Sequence, residues 1–345
     1  MNFRKTNPFP VLISLLIILS LLLLKPQSAT SQQKKFSFSE QKMGSAFTII
    51  FFDSDTLHAV TIAEKAFKIV DSLNLSFSDY LESSEISKIA SLAGNGEWLE
   101  VTDDLFAILK ESKYAYEKSS GAFDITIGQL TKLWRKAKKE KRLPNDKIIN
   151  RALVTSGMKY LALDTLAKKV KLLKKGASID LGGIGKGYAA QKVFDFLQKN
   201  NFRRIIVDAA GNMAIGEPPT DNESWKIAID TPERNYLINN KMLMLNNLAI
   251  STSGDANQFV EIYGKRYSHI LNPKTGLGLQ YQRQVTVVCT NAAKADWLST
   301  ALTVLPIKKG LILAKKEKAE VLIFEKKGNS FKEILSDGFA KFYQK

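Results

Sequence analysis

Residues 46–52, AFTIIFF, form an unbroken β-branched and aromatic run that predicts a buried strand. Asp53-Ser54-Asp55 follows as a set of helix caps, and Leu57, Val60, Ala63, Ala66 or Phe67, Val70 and Leu73 then recur at helical spacing to about Asn74. Ser83 or Ser84 caps a short predicted helix that ends at Gly94-Asn95-Gly96. A second amphipathic pattern spans residues 103–118, with Gly121 as its expected C-cap. Residues 132–141 read as helix, Pro144-Asn145-Asp146 restarts one, and residues 158–163 and 169–173 pair as a hairpin. The helix expected over residues 185–200 has Tyr188, Val193, Phe196 and Leu197 to bury, and the strand at 204–207 ends in the polar turn DAAGN. From Trp225 onward the period changes to that of strands: WKIAID, KMLMLNNLAIS, FVEIY and QVTVVCT. Helices are expected over residues 292–305 and after Pro306, with a closing strand pair around VLIFE and GFAKFY. No internal repeat or long linker divides the chain.

The N-terminal pattern is of another kind. Arg4 and Lys5 precede residues 11–24, which are apolar apart from Ser14 and Ser20, and Lys25-Pro26 ends the run. That run is shorter than the ~20 residues of a spanning helix, so residues 1–31 read as a cleaved export signal, with Ala29-Thr30-Ser31 as the cleavage region. An uncleaved membrane anchor is the alternative. The one cysteine, Cys289, leaves neither an intrachain disulfide nor a cysteine for lipid attachment near the N-terminus, and within VTVVC it reads as a small buried hydrophobe. Lys plus Arg number 50 against 34 Asp plus Glu, a net charge of +16, with the densest block at KLWRKAKKEKR. Its single tryptophan and the export signal argue against nucleic acid, so the block is taken as a solvated helix face suited to membrane-surface association. His58, in the first turn of its helix, is expected to pack or face solvent.

Candidate chemistry centres on SIDLGGIGKGYAAQ, where Gly182, Gly183, Gly185 and Gly187 lead into a helix N-terminus that can approach a phosphate closely. Neither a P-loop nor the nicotinamide fingerprint fits this spacing, so it is an anion cradle of another kind or a tight packing turn. Asp296 and Thr300, four apart in ADWLSTAL, share a helix face and offer hard oxygen donors for a Mg²⁺ ion bridging a diphosphate. Taken alone, Asp296 reads first as an N-terminal complement to the helix dipole, ahead of a metal ligand. Tyr80 is expected to fill core, with stacking on a planar ligand as the alternative.

MGSAF, FSDYLESSEISKI, GAFDITIG, SIDLGGIGKGYAAQ, VDAAGNMAIG, ISTSGD, SHILNPKTG and ADWLSTAL occur in an order that resembles the ApbE family, FAD:protein FMN transferases formerly called thiamine biosynthesis lipoproteins. The resemblance covers residues 43–306. It implies a mixed α/β fold of two intimately packed lobes, mostly antiparallel sheet flanked by helices, with residues 32–345 as one transferase domain. It also implies an exported, periplasmic or inner-membrane-facing enzyme that uses Mg²⁺ to cleave FAD and esterify FMN to a threonine of an acceptor protein, releasing AMP. That acceptor would be a membrane-associated redox subunit. By motif position, Met43, Tyr80, Ala122, Phe123, Asp124, Asp180, Lys186 and Ile270 would contact FAD. The Gly183 carbonyl, Asp296 and Thr300 would hold Mg²⁺, with Ser299 at a further metal position. The family's lipobox cysteine is absent, Ala210 stands where a second glycine is frequent, and Gln129 replaces a common proline.

Phosphoryl attack needs charge neutralisation, an in-line nucleophile and a proton acceptor. His269 is the candidate base, because it alone of the two histidines lies in a motif, with Asp255 as the other candidate. The competing functions are FAD hydrolysis to FMN and AMP at the same site, an exported protein that holds FAD without cleaving it, and, last, a nucleic-acid binder.

Overall fold

The computed structural model describes residues 33–220, 222–229, 231, 241–255 and 258–344. The targeting segment and the last residue of WKIAID lie outside them. The order is β1 (Lys34–Lys42), β2 (Ser45–Asp53), α1 (Thr56–Phe77), α2 (Glu85–Ser91), β3 (Leu99–Glu100), α3 (Asp103–Lys118), α4 (Gly128–Glu140), α5 (Asp146–Val154), β4 (Leu161–Asp164) and β5 (Lys169–Leu172). It continues with α6 (Gly185–Lys199), β6 (Ile205–Ala209), β7 (Asn212–Ile215), β8 (Trp225–Ile229), β9 (Lys241–Leu245), β10 (Leu248–Gly254), β11 (Phe259–Ile262) and β12 (Lys265–Ser268). The chain closes with β13 (Arg283–Cys289), α7 (Ala292–Val304), α8 (Ile307–Lys316), β14 (Glu320–Lys327) and β15 (Ser330–Leu335).

Eight strands form one antiparallel sheet in the order β1-β2-β6-β7-β10-β13-β14-β15. Successive side chains of a strand face opposite ways, so Phe47, Ile49, Phe51, Val207, Val287 and Ile323 enter the main core with residues of α1, α6 and α7. Ile206, Ile250, Val288, Leu322 and Phe324 face the other side, where the β8–β9 hairpin and Phe339 and Phe342 cover them. Two covered faces explain why the central strands read as continuous apolar runs. A smaller apolar cluster joins Leu130 and Trp134 of α4 and Ile149 of α5 to Val260, Ile262 and Tyr267 of the β11–β12 hairpin. The fold is therefore mixed α/β, dominated by antiparallel sheet, as the motifs implied.

Several expectations change. GFAKFY is not a strand: Phe339 and Phe342 bury together at helical spacing in a 3-10 turn, and SFKEIL is the partner of β14. KMLMLNNLAIS is two strands in different sheets, divided at Asn246-Asn247 where Asn247 takes φ +52°. The end of α3 turns left-handed over two residues, Ser120 at φ +53° and the expected Gly121 at φ +78°, whose N–H donates to the Tyr116 carbonyl at 2.9 Å. Cys289 is buried, as its apolar setting predicted, and burial pushes its thiol up to about 11. His58 sits at the surface, its Nδ1 2.7 Å from Asp53 Oδ2 and its ring against Phe202.

Candidate active site

An open cavity of about 1590 Å³ lies where the glycine turn, the β12–β13 connection and α7 meet. Pockets for small ligands usually span about 300–1,000 Å³, so this one has room for an extended dinucleotide. Met43, Tyr80, Ala122, Phe123, Asp124, Asp180, Gly183, Lys186, His269, Ile270, Asp296 and Thr300 all line it. Asp255 and Ser299 do not.

The glycine turn is fixed from below. The Asp180 N–H donates to the Ile125 carbonyl at 2.8 Å and Ile127 bridges Ser178 in parallel, so GAFDITIG runs alongside SIDLGG. Asp180 Oδ1 accepts the Gly182 N–H at 2.7 Å, which closes the turn onto the start of α6. That helix begins without a side-chain cap and without an acid in its first turn. Its positive end, together with Lys186, is thus left to the cavity. Beside it, Asp124 Oδ1 accepts from the Thr126 N–H at 2.8 Å and hydroxyl at 2.6 Å, while burial pushes its carboxyl above the usual range. Met43 stands at the tip of the β1–β2 turn with φ +50°.

Gly187 explains how α6 meets α7. A Cβ there would stand 2.3 Å from the Ala292 carbonyl oxygen and 2.6 Å from Asp296 Cβ, so only glycine permits this approach. The closeness lets the Gly187 N–H donate to Asp296 Oδ2 at 2.8 Å. Asp296 is 4% exposed, and burial raises its carboxyl to about 6 although Lys186 pulls the other way. It is therefore more than an exposed dipole complement. One helical turn on, Thr300 Oγ1 packs against Gly183 and lies 3.2 Å from Ser253 Oγ. Ser299 points inward instead: its Oγ donates to the Asp296 carbonyl at 2.9 Å and meets Ser253 Oγ at 2.7 Å. Among the described residues no three His, Cys, Asp or Glu side chains converge. A metal at this corner would rest on one carboxylate and neutral oxygens, a hard donor set that suits Mg²⁺ and leaves positions for water and phosphate.

His269 follows β12, and its Nδ1 lies 3.0 Å from the Gln258 carbonyl. A carbonyl only accepts, so Nδ1 carries the hydrogen and the neutral ring keeps its lone pair on Nε2. The ring is open to the cavity, yet the surrounding walls displace water and hold its pKa below the usual 6.5. Asp255, the other candidate base, is buried, and its Oδ2 accepts from Arg266 Nε at 3.1 Å. Its carboxylate is committed to that guanidinium.

Two features escaped the sequence reading, Arg135 beneath Tyr80 and the Ser253 hydroxyl. Tyr80 is 75% exposed at the cavity rim rather than in the core, with the Arg135 guanidinium 4.1 Å from its ring centroid. Arg135 also donates to Asp79 at 2.6 and 3.1 Å and to Asp180 at 3.3 Å. The basic block is therefore not one solvated face: Trp134 is buried, while Arg135 and Lys138 line the cavity. The second is Ser253, embedded in ISTSGD, whose hydroxyl only the fold brings to Thr300.

The ApbE family model matches residues 43–323. A FAD:protein FMN transferase of Vibrio cholerae is 28% identical over 337 residues, covering 96% of this chain and 99% of that protein. One from Escherichia coli K12 is 26% identical, covering 92% of each. Among solved structures, the flavin transferase ApbE from Vibrio cholerae matches with a TM-score of 0.81 at 25% identity, over 90% of this chain and 100% of that one. The apo flavinyl transferase ApbE of Pseudomonas stutzeri matches with a TM-score of 0.80 at 27% identity, over 90% and 98%. A family match over most of the chain, on a fold that carries the motif residues into one cavity, makes this chain a member of the ApbE family.

Proposed function

We propose that the chain is a Mg²⁺-dependent FAD:protein FMN transferase, which cleaves the diphosphate of FAD and joins FMN through a phosphoester to a threonine hydroxyl of an acceptor protein. The observation that carries this reading is the pairing of Asp296 and Thr300 with the glycine turn at the uncapped start of α6, inside a cavity large enough for a dinucleotide. The names of the relatives, FAD:protein FMN transferase, support the same reaction.

In this reading Tyr80, backed by Arg135, offers a face for a planar ring, and Met43, Phe123 and Ile270 add apolar contact. Lys186 and the first amides of α6 hold the diphosphate. The Gly183 carbonyl, Asp296 and Thr300 would hold Mg²⁺, which supplies charge neutralisation on the phosphates when bound. The acceptor hydroxyl oxygen forms a bond to the FMN phosphorus as the bond from that phosphorus to the bridging oxygen breaks, and AMP leaves with that oxygen. The hydroxyl proton passes to His269 Nε2, the free acceptor left by the Nδ1–H bond to Gln258. Asp255, tied to Arg266, steadies the β10–β12 region instead of taking the proton. Ser299 fixes the α7 backbone beside Asp296.

The export signal would deliver the enzyme to the periplasm or the periplasmic face of the inner membrane, where a membrane-associated redox subunit is the fitting acceptor. AMP release from FAD, followed with and without EDTA and in Asp296→Ala, tests the metal corner. Release that stops in both supports it, and undiminished release in Asp296→Ala counts against it. Release of free FMN with no acceptor adduct would favour a hydrolase, and intact FAD a binding protein.

A further inference from the structure

A second cavity of about 570 Å³ adjoins the first, and Ala122 lines both. Its wall carries Lys118, Lys274, Lys309 and Lys316 and no Asp or Glu. Among the described residues none of these four ammonium groups has a carboxylate within salt-bridge distance. Lys118 and Lys316 stand in the last turns of α3 and α8, where a cation complements the helix dipole. The other two have no such account. Lys309 lies in the first turn of α8, which contains no acid and where the dipole opposes a cation, and Lys274 sits on the loop that follows His269. The floor between the lysines is apolar, from Val304 to Pro306 and on to Ile312, which is 57% exposed.

We propose that this groove docks an acidic, partly apolar segment of the acceptor polypeptide and so presents the acceptor hydroxyl to the neighbouring flavin cavity. The proposal rests on the transferase reading for the identity of the partner. Charge complementarity selects an anionic occupant, and the exposed apolar floor selects a polypeptide over a free phosphate, because a phosphate has nothing to bury there. The position agrees with the task, since the groove shares Ala122 with the flavin cavity and is bordered by the loop that bears His269.

The test uses two fluorescein-labelled peptides, each with one threonine among small residues. One carries flanking Asp, Glu and Leu; the other has Asn and Gln in place of the acids. Anisotropy at low salt is measured on the FAD-loaded enzyme and on Lys274→Glu/Lys309→Glu, with flavin fluorescence as a check that FAD affinity is unchanged. The acidic peptide should bind wild type at least tenfold more tightly than the neutral one, and salt should shrink that advantage. The double variant should lose it. Equal binding of the two peptides, or an advantage that survives in the variant, overturns the proposal. So does a groove that holds vesicles with anionic headgroups but not the acidic peptide, which would assign it to the membrane surface. Failure of the transferase reading looks different: wild type would bind the acidic peptide yet release no AMP with any acceptor.

Discussion

In the proposed reaction His269 serves as the base, with its other nitrogen engaged. The Gln258 carbonyl fixes the hydrogen on Nδ1, and the cavity walls keep the ring neutral by lowering its pKa from 6.5. A group that must be neutral loses activity when it is protonated, so kcat/KM should stay level through neutral pH and fall only below 6.5. In His269→Gln the rate should drop by about 10²–10⁴ and that acid limb should disappear. A pH–rate profile checks both. Arg135 acts through its neighbours, as a fork between Asp79 and Asp180 beneath Tyr80. Arg135→Ala should weaken FAD binding about tenfold, or about 1.4 kcal/mol, in a flavin titration. Lys should rescue little, because one ammonium cannot reproduce the guanidinium fork. In the sequence Arg135 was one cation among many. Nothing local marks which side of α4 faces a ligand, because Tyr80 and Asp180 reach it only through tertiary structure.

At the level of elements, the glycine turn divides its labour. Gly182 and Gly183 face the cavity, while Gly187 sets the distance between α6 and α7. Gly187→Ala should therefore cost about 1–3 kcal/mol by overpacking and lower metal-dependent activity as well, which thermal melts and AMP release would report together. The β6–β7 turn carries the opposite opportunity. Ala210 takes φ +54° and Gly211 φ +87°, a left-handed pair in which alanine is strained. Ala210→Gly should raise stability by about 0.5–1 kcal/mol, the left-handed penalty less the added unfolded-state entropy, seen as a higher Tm with unchanged FAD binding. The amphipathic α3 was legible nearly to the residue, and so was α7, although α7 is buried almost all round and carries no apolar stripe. β1 was not, because KKFSFSEQK is an edge strand with only Phe36 and Phe38 to bury, and its alternation is too short to separate from a polar linker.

Across the whole molecule, the motifs lie far apart in sequence and converge only because the large sheet and its covering helices bring their loops to one side. The residue types and order could be read in advance, and so could the class of chemistry. The commitment of Asp255 to Arg266, the inward turn of Ser299 and the lysine groove beside Ala122 arise from tertiary packing and left no local signal. The proposed reaction moves FMN from FAD to a protein hydroxyl. Its most direct test is intact-mass and peptide-level mass spectrometry of a threonine-bearing acceptor fragment incubated with the enzyme, FAD and Mg²⁺, with AMP quantified in the same tube. One FMN on a threonine is expected for each AMP released. An unmodified acceptor beside accumulating free FMN, or FAD that stays intact, would contradict it.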